Sequence, residues 1–297
     1  MIIVRLSGGM GNQMFQYAAG RALALKHDVS LALDPTFLNH RNRMPKFLRP
    51  HFVFRNFDLD VFNIQARIAK PSEISFRNRP FFSGWLMLAI DAALRKIAVF
   101  PGWEKFFSFD KKVLELGPDT YLEGYWQSPK YFSAIEEIIR KDFTLALPLS
   151  EKSEKLKKEI QSGVSVCVHV RRADFVASSF HGTFGKEYYE AGIALVAKSV
   201  PVGKVYVFSD DIAWCEKNLR FDVPTTFVGN EHAGRKGEGH LALMSACKHF
   251  IIPNSTFSWW AAWLGEHKGK IVITPKKWFA DKSMNTNDLM PEAWVRI

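Results

Sequence analysis

Cysteine is scarce in this chain of 297 residues: there are three, Cys167, Cys215 and Cys247, far apart and without metal-ligand spacing. That excludes a disulfide framework, and the thiols read as reduced packing groups in a reducing cytoplasm. No basic, apolar and small-residue segments follow one another at the start, where Met1 leads into Ile2-Ile3-Val4-Arg5-Leu6 and then glycines, so secretion is not expected. A long uncharged apolar run is missing too. The most apolar stretch, 81–100, is broken by Asp91, Arg95 and Lys96, charges a membrane span tolerates poorly, and it reads as a buried or interfacial helix. There is no repeat of fixed period and no low-complexity tract. Hydrophobic residues at 47% and charged residues at 24% are ordinary globular proportions, which excludes a fibrous or mostly disordered chain.

Positive charge is what the chain has in excess. Forty Lys and Arg against thirty Asp and Glu leave a net +10, which favours an anionic partner. Of that excess, +8 lies in residues 41–112. Within this region Arg41, Arg43, Lys46, Arg49 and Arg55 alternate with Phe47, Phe52 and Phe54 and meet no acidic residue before Asp58. Basic residues interleaved with aromatics suit RNA or an anionic membrane surface, and equally a solvated face whose aromatics turn inward.

A chain this long holds one large domain or two of ordinary size. It opens as a βαβ unit: a strand at 2–6, the turn Ser7-Gly8-Gly9-Met10-Gly11, a helix over 12–26 and a strand at 29–33. Residues 35–150 are rich in Phe, Pro and Arg and show weak periodicity, enough for short helices but for no topology. From a charged helix at 151–161 onward the alternation is regular. Strands at 164–170, 204–209, 225–228, 250–253 and 270–274 are separated by helices at 186–198, 212–219, 239–246 and 256–265. That pattern gives an α/β fold with a parallel, doubly wound sheet.

Ligands of such a sheet bind beyond the carboxyl ends of its strands, so the residues following each strand are candidate site residues. Four such segments are polar: Gly8-Gly9-Met10-Gly11-Asn12-Gln13, His169-Val170-Arg171-Arg172-Ala173-Asp174, Ser209-Asp210-Asp211 and Asn254-Ser255-Thr256-Phe257-Ser258. Paired arginines with a histidine just upstream suit a diphosphate, because planar guanidinium groups bind phosphate oxygens through two parallel charge-assisted bonds. Ser255, Thr256 and Ser258 open a helix whose N–H groups and dipole favour an anion. The competing structural reading is helix capping by Ser255 or Thr256 and an Arg172–Asp174 salt bridge.

Three other features invite a functional reading. Gly9-Met10-Gly11 followed by Asp34 imitates a dinucleotide fingerprint, but Met14 stands at the third glycine, so NAD binding is not expected and a tight turn capped by Asn12 is the alternative. Asp58-Leu59-Asp60 has the Asp-x-Asp form that can hold a divalent metal under a diphosphate. It falls in the basic region, away from the sheet edges, and no metal is expected because the arginines already supply positive charge. Trp259, Trp260 and Trp263 form a stripe that reads as core.

Three blocks together carry a resemblance. Ser7-Gly8-Gly9-Met10-Gly11-Asn12-Gln13-Met14-Phe15-Gln16-Tyr17, His169-Val170-Arg171-Arg172-Ala173-Asp174, and Leu243-Met244-Ser245 through Asn254-Ser255-Thr256-Phe257-Ser258-Trp259-Trp260 resemble the bacterial α-1,2-fucosyltransferases of glycosyltransferase family 11. The resemblance implies a GT-B-like architecture of two Rossmann-like doubly wound domains facing a cleft. An acceptor-side domain would span 1–150 and a GDP-fucose domain 151–297, with the C-terminal tail packing back on the first. It further implies an inverting transfer of L-fucose from GDP-β-L-fucose to the 2-hydroxyl of a terminal galactose, on an oligosaccharide or lipid-linked glycan. Neither metal nor nucleic acid takes part, and the enzyme is cytoplasmic with peripheral membrane contact. Arg171, Asp174 and Asn12 take catalytic roles, with Glu187 a second candidate base. Gly11, Gln13, His169, Arg172, Asp210, Asp211, Glu238, His240, Asn254, Ser255, Thr256 and Ser258 bind substrate. Two departures stand out: Ala173 where the family has glycine, and His240 where an acid would accept from the guanine ring, a contact Glu238 would then supply.

Overall fold

The computed structural model describes residues 1–43, 55–74, 98–99, 107–176, 182–280 and 284–297. Most of the basic, aromatic stretch at 41–55 and most of the apolar stretch at 81–100 lie outside the described residues. The chain forms two compact units, residues 1–146 with 283–290, and residues 147–282 with 291–297. The tail is thus shared: 283–290 belong to the first unit, and the last residues return to the second.

The first unit is built on a five-stranded parallel sheet of order β3-β2-β1-β5-β4, with β1 Ile2–Arg5, β2 Leu31–Asp34, β3 Arg67–Ile68, β4 Ala98–Val99 and β5 Tyr121–Glu123. Ala98–Val99 is a strand, so the end of the apolar stretch is not helical as the sequence suggests. Ile2, Ile3 and Val4 and all four residues of β2 are buried, the signature of strands covered on both faces. Helix α1, Met10–Lys26, makes the crossover from β1 to β2. It begins two residues earlier than the sequence suggests, with Gly9 at the cap position, so Asn12 sits inside the first turn and is no cap. Gly8 makes the turn at φ +75°, where any Cβ would meet the Asn12 side chain. Met14 is fully buried at the place of the missing third glycine. Close helix-to-strand contact is made instead at Gly20, where an added Cβ would lie 2.3 Å from Val4 Cγ2.

Further along α1, the Tyr17 hydroxyl donates to Asp142 Oδ2 at 2.6 Å, and Arg21 Nε donates to the same oxygen at 3.0 Å. Burial and the Asp142 carboxylate push Tyr17 well above the usual tyrosine range. Asp142 ends α4, Glu136–Asp142, and the next residue, Phe143, packs on Tyr17 and Phe62 at ring distances of 5.4 Å. Helices α2, Thr36–Arg43, and α3, Pro71–Ile74, follow β2 and β3.

The second unit is regular. Helix α5, Glu151–Ser162, capped by the Ser150 hydroxyl, leads into β6, Ser165–Val170, whose six residues are all buried. The six-stranded parallel sheet runs β8-β7-β6-β9-β10-β11, with β7 Lys204–Ser209, β8 Thr225–Phe227, β9 His249–Ile251, β10 Val272–Thr274 and β11 Val295–Arg296. The chain leaves β6 toward β7 and β8, then returns to β9 on the other side. That order is the doubly wound one, with its topological switch point between β6 and β9. Helices α6 Ala173–Val176, α7 Lys186–Ala197, α8 Ile212–Asn218, α9 Glu238–Ser245 and α10 Thr256–Leu264 make the connections. Tyr189, Ile193 and Val196 of α7 pack on Val166, Val168 and Ile251, and Trp259, Trp260 and Trp263 of α10 are core.

The space around two glycines predicts opposite outcomes. Gly20→Ala forces its methyl into Val4 and should lower stability by roughly 2 kcal/mol despite the better helix propensity of alanine. Gly117→Ala meets nothing within 4 Å and should change stability by no more than about 0.5 kcal/mol. Denaturant unfolding of the two variants side by side is the measurement; equal effects would contradict the close α1–β1 contact.

Candidate functional site

At the switch point of the second unit, β6 delivers His169, Arg171 and Arg172 and β9 delivers Asn254 and Ser255 to one sheet edge. The structure sorts the two arginines by their partners. Arg171 Nη1 pairs with Asp210 Oδ2 at 3.0 Å, and its guanidinium lies 5.4 Å from the Phe175 ring centre. Arg172 turns toward α8: its guanidinium stacks 4.1 Å over Trp214, and Nε reaches Asp211 Oδ2 at 3.4 Å. The Arg172 backbone N–H donates to Asp210 Oδ1 at 2.9 Å, so one carboxylate holds both residues. Arg172 thus pairs with Asp211. The side chain of Asp174 lies outside the described residues, and Glu187 is exposed in the first turn of α7.

Asp210 and Asp211, expected to bind substrate, hold the two arginines. Asp211 also caps α8 by accepting from Trp214 N–H at 3.1 Å, and its own N–H donates to Ser209 Oγ at 2.9 Å. Glu238 is likewise committed. Its two carboxylate oxygens accept from the backbone N–H groups of Arg235 (2.9 Å) and Lys236 (2.7 Å), closing the loop that Gly237 enters α9 from at φ +98°.

His169 is 6% exposed, and its Nδ1 is buried with no hydrogen-bond partner. Burial, reinforced by Arg171 and His240, pushes its pKa down to about 3, so the ring is neutral near pH 7. It packs 6.0 Å from the Phe257 ring at the start of α10. Ser255 occupies the cap of that helix but makes no side-chain capping bond, contrary to the capping reading. The first intrahelical bond is Trp259 N–H to Ser255 O at 2.9 Å, so the amides of Thr256, Phe257 and Ser258 precede it, the position a helix offers an anion. Ser258 itself is fully buried and donates back to Ser255 O at 3.1 Å. Asn254 is buried at the same edge. On α9, His240 Nε2 lies 3.0 Å from Gly229 O; the carbonyl only accepts, so this nitrogen carries the proton and Nδ1 is the acceptor. Burial lowers the His240 pKa, which keeps that acceptor available.

In the first unit, the fingerprint acid Asp34 is spoken for. It accepts from the Tyr121 hydroxyl at 2.7 Å and from Thr36 N–H at 2.9 Å. Gln13 is buried and donates to Asn56 O (2.7 Å) and Gly8 O (3.1 Å), while its Oε1 accepts from Asp58 N–H at 2.9 Å. It clamps residues 56–58 to the glycine turn. That contact also corrects the placing of Asp58, which lies beside the β1 edge and not away from it. Among the described residues no group of three or more His, Cys, Asp or Glu is gathered as metal ligands would be. Gly11 is buried in the first turn of α1, and Asn12 Oδ1 accepts from Gln127 Nε2 at 2.8 Å. Gln127 is a residue the sequence reading missed. Its only sequence sign is a glycine, an aromatic pair and a glutamine directly after the three-residue strand β5.

The family model described as Glycosyl transferase family 11 matches residues 100–297. The chain is 31% identical over 302 residues to an α-1,2-colitosyltransferase of Escherichia coli, covering 100% of this chain and 99% of that one. It is 33% identical over 317 residues to the O-antigen biosynthesis glycosyltransferase WbnK of Escherichia coli, covering 98% and 99%. Galactoside α-(1,2)-fucosyltransferase 1 of Rattus norvegicus is 30% identical over 271 residues, 86% of this chain and 61% of that one. Among solved structures, fucosyltransferase NodZ from Bradyrhizobium superposes with a TM-score of 0.49 at 19% identity, covering 88% and 91%.

The buried neutral His169 predicts acid sensitivity. Its folded pKa, about 3, lies below the unfolded value near 6.5, so the unfolded chain binds more protons between these limits and stability falls as pH drops through that window. His169→Gln should remove roughly 2 kcal/mol of the stability lost between pH 7 and pH 5. Urea unfolding of both proteins at the two pH values tests this, and parallel losses would show that His169 is not the titrating group.

Proposed function

The chain belongs to glycosyltransferase family 11, and we propose that it transfers L-fucose from GDP-β-L-fucose to the 2-hydroxyl of a terminal galactose, with inversion. One observation carries the donor half of this reading. Arg171, braced by Asp210, and the buried, unpartnered His169 stand at the switch point beside the start of α10, where fixed positive potential suits a diphosphate. The α-1,2 linkage follows the names of the colitosyltransferase and the rat galactoside fucosyltransferase. The residues first taken to bind substrate divide accordingly: Asn254, Ser255 and Thr256 stay with the diphosphate, and His240 Nδ1 offers guanine a single acceptor where an acid would offer two oxygens.

The displacement has one step. The galactose 2-oxygen bonds to the anomeric carbon as the bond to the β-phosphate oxygen breaks, GDP leaves with the electron pair, and the 2-hydroxyl proton passes to a base, for which Asp174 is the proposed group. Charge grows on the diphosphate as the bond breaks, and Arg171 meets it already oriented, so little reorganisation is needed. Since the arginine and the helix start supply this charge, no metal is required. Contact with a membrane, where it occurs, is proposed as peripheral; among the described residues no helix is long and apolar enough to cross one.

A second donor has a specific basis, the 31% identity to a colitosyltransferase along the whole chain. Colitose is fucose without its 3-hydroxyl, so incubating the enzyme with GDP-fucose or GDP-colitose and lactose, with and without EDTA, decides the donor and the metal together. The expected result is EDTA-resistant α-1,2-fucosyl-lactose. GDP-colitose as the sole working donor would change the sugar and keep the site; stabilisation by single-stranded RNA but not by GDP would replace the enzyme with a nucleic-acid binding protein.

Arg171→Ala should lower turnover about a hundredfold or more with a much smaller change in GDP-fucose affinity, because its contact strengthens as charge develops. Lysine should rescue poorly, a point charge lacking the planar fork that both Asp210 and phosphate engage. Steady-state kinetics on variants with unchanged melting temperature provide the test. Near-normal turnover in Arg171→Ala would refute its role.

A further inference from the structure

The first unit has its own switch point, between β1 and β5, and the polar groups there follow a pattern. The first two turns of α1 present three amides. Gln13 is consumed in clamping residues 56–58. Gln16 is consumed as well: its Oε1 accepts from Ser7 N–H at 3.0 Å, and its Nε2 donates to Ser7 Oγ at 2.8 Å and to Gly124 O at 3.0 Å, tying the ends of β1 and β5 together. The third, Asn12, takes its hydrogen bond from Gln127 Nε2. Gln127 is 4% exposed, and its Oε1 is buried with no hydrogen-bond partner.

A buried amide oxygen without a donor is costly and calls for an explanation. The backbone beside it is strained as well. Trp126 adopts φ +52°, a left-handed conformation unfavourable for a bulky side chain, and Ser128 N–H closes a tight turn onto Trp126 O at 2.8 Å. Strain and an unspent acceptor thus stand in adjacent residues at the edge where a parallel sheet binds its ligands.

We propose that Gln127 binds the acceptor sugar, its Oε1 accepting a hydrogen bond from an acceptor hydroxyl. The inference rests on the glycosyl-transfer reading and deepens it. The chemistry selects the ligand class: an amide oxygen welcomes a neutral O–H donor and repels a phosphate or carboxylate, so this edge takes a sugar alcohol and not the diphosphate. Asn12 is thereby a positioning residue, since its Oδ1 holds Gln127 Nε2 and leaves the oxygen for the ligand. Because Oε1 is enclosed in the unliganded molecule, the hydroxyl reaches it as residues 124–128 yield, and the strained Trp126 is where that movement is expected.

The test uses the full chain with lactose as the probe. In Gln127→Leu, KM for lactose should rise about tenfold, the loss of one neutral hydrogen bond, with KM for GDP-fucose unchanged. Gln127→Glu restores an oxygen at the site and Asn12 can turn its amide to donate to it, so lactose KM should return to within about threefold of the parent. Lactose binding by saturation-transfer NMR reads the same loss without turnover, and if Gln127→Leu melts early, Gln127→Asn, whose shorter amide draws the oxygen back by one methylene, should show the same lactose-specific loss, its absence counting against the proposal. Unchanged lactose KM and binding in a folded Gln127→Leu protein, or an equal rise in both KM values, would overturn the proposal while the transferase reading stands. A parent enzyme that transfers to no galactose-terminated sugar would instead bring down that reading and this inference together.

Discussion

Every strand pair of the two named sheets is parallel, and the rest of the molecule is organised by that fact. A parallel pair needs a connection that starts at a carboxyl end and returns the full length of the sheet, so every turn out of a strand and every following helix start collects at one edge. Where the winding reverses, neighbouring connections part and leave a crevice. In the second unit the reversal falls between β6 and β9, which is why His169, Arg171 and Asn254, more than eighty residues apart at their extremes, share an edge. In the first it falls between β1 and β5 and brings Asn12 to Gln127.

Within those edges, function is decided by what each polar group has left to give. Asp210, Asp211 and Glu238 have spent their carboxylates on arginines or backbone amides, and Gln13 and Gln16 have spent their amides on loops. Such commitments are not wasted for a catalyst. A guanidinium fixed by Asp210 and by the Phe175 face meets developing charge without first having to be ordered, which is where preorganised electrostatic stabilisation comes from. His169 shows the complementary strategy, a ring kept neutral by burial so that it can lie beside Arg171 without repelling it.

The two units also differ in how they hold their shape. The second rests on a strand buried along its whole length, β6, flanked by α7 and the tryptophan-rich α10. The first has shorter strands and leans on polar ties, among them the Tyr17–Asp142–Arg21 network and the Tyr121–Asp34 bond. Such networks are specific but sensitive, because removing one member leaves another buried and unsatisfied.

By itself the sequence determined the second unit's strand and helix order, because its apolar runs alternate with helical periodicity at βαβ spacing, and it singled out the segments following β1, β6, β7 and β9. Hydrophobic pattern is local, and these elements are decided by local pattern. It could not order the strands of the first unit, where β3, β4 and β5 are two or three residues long and too short to show a period. It could not say which acid each of Arg171 and Arg172 meets, or see that Glu238 bonds its own loop, that Asp34 faces Tyr121, or that Gly20 does the work a third glycine does elsewhere. Only the tertiary structure decided these, because a hydrogen bond between residues separated by 115 positions, such as Asn12 to Gln127, leaves no trace in the spacing of either. Residue type says what a side chain can donate or accept; the fold decides who stands opposite it.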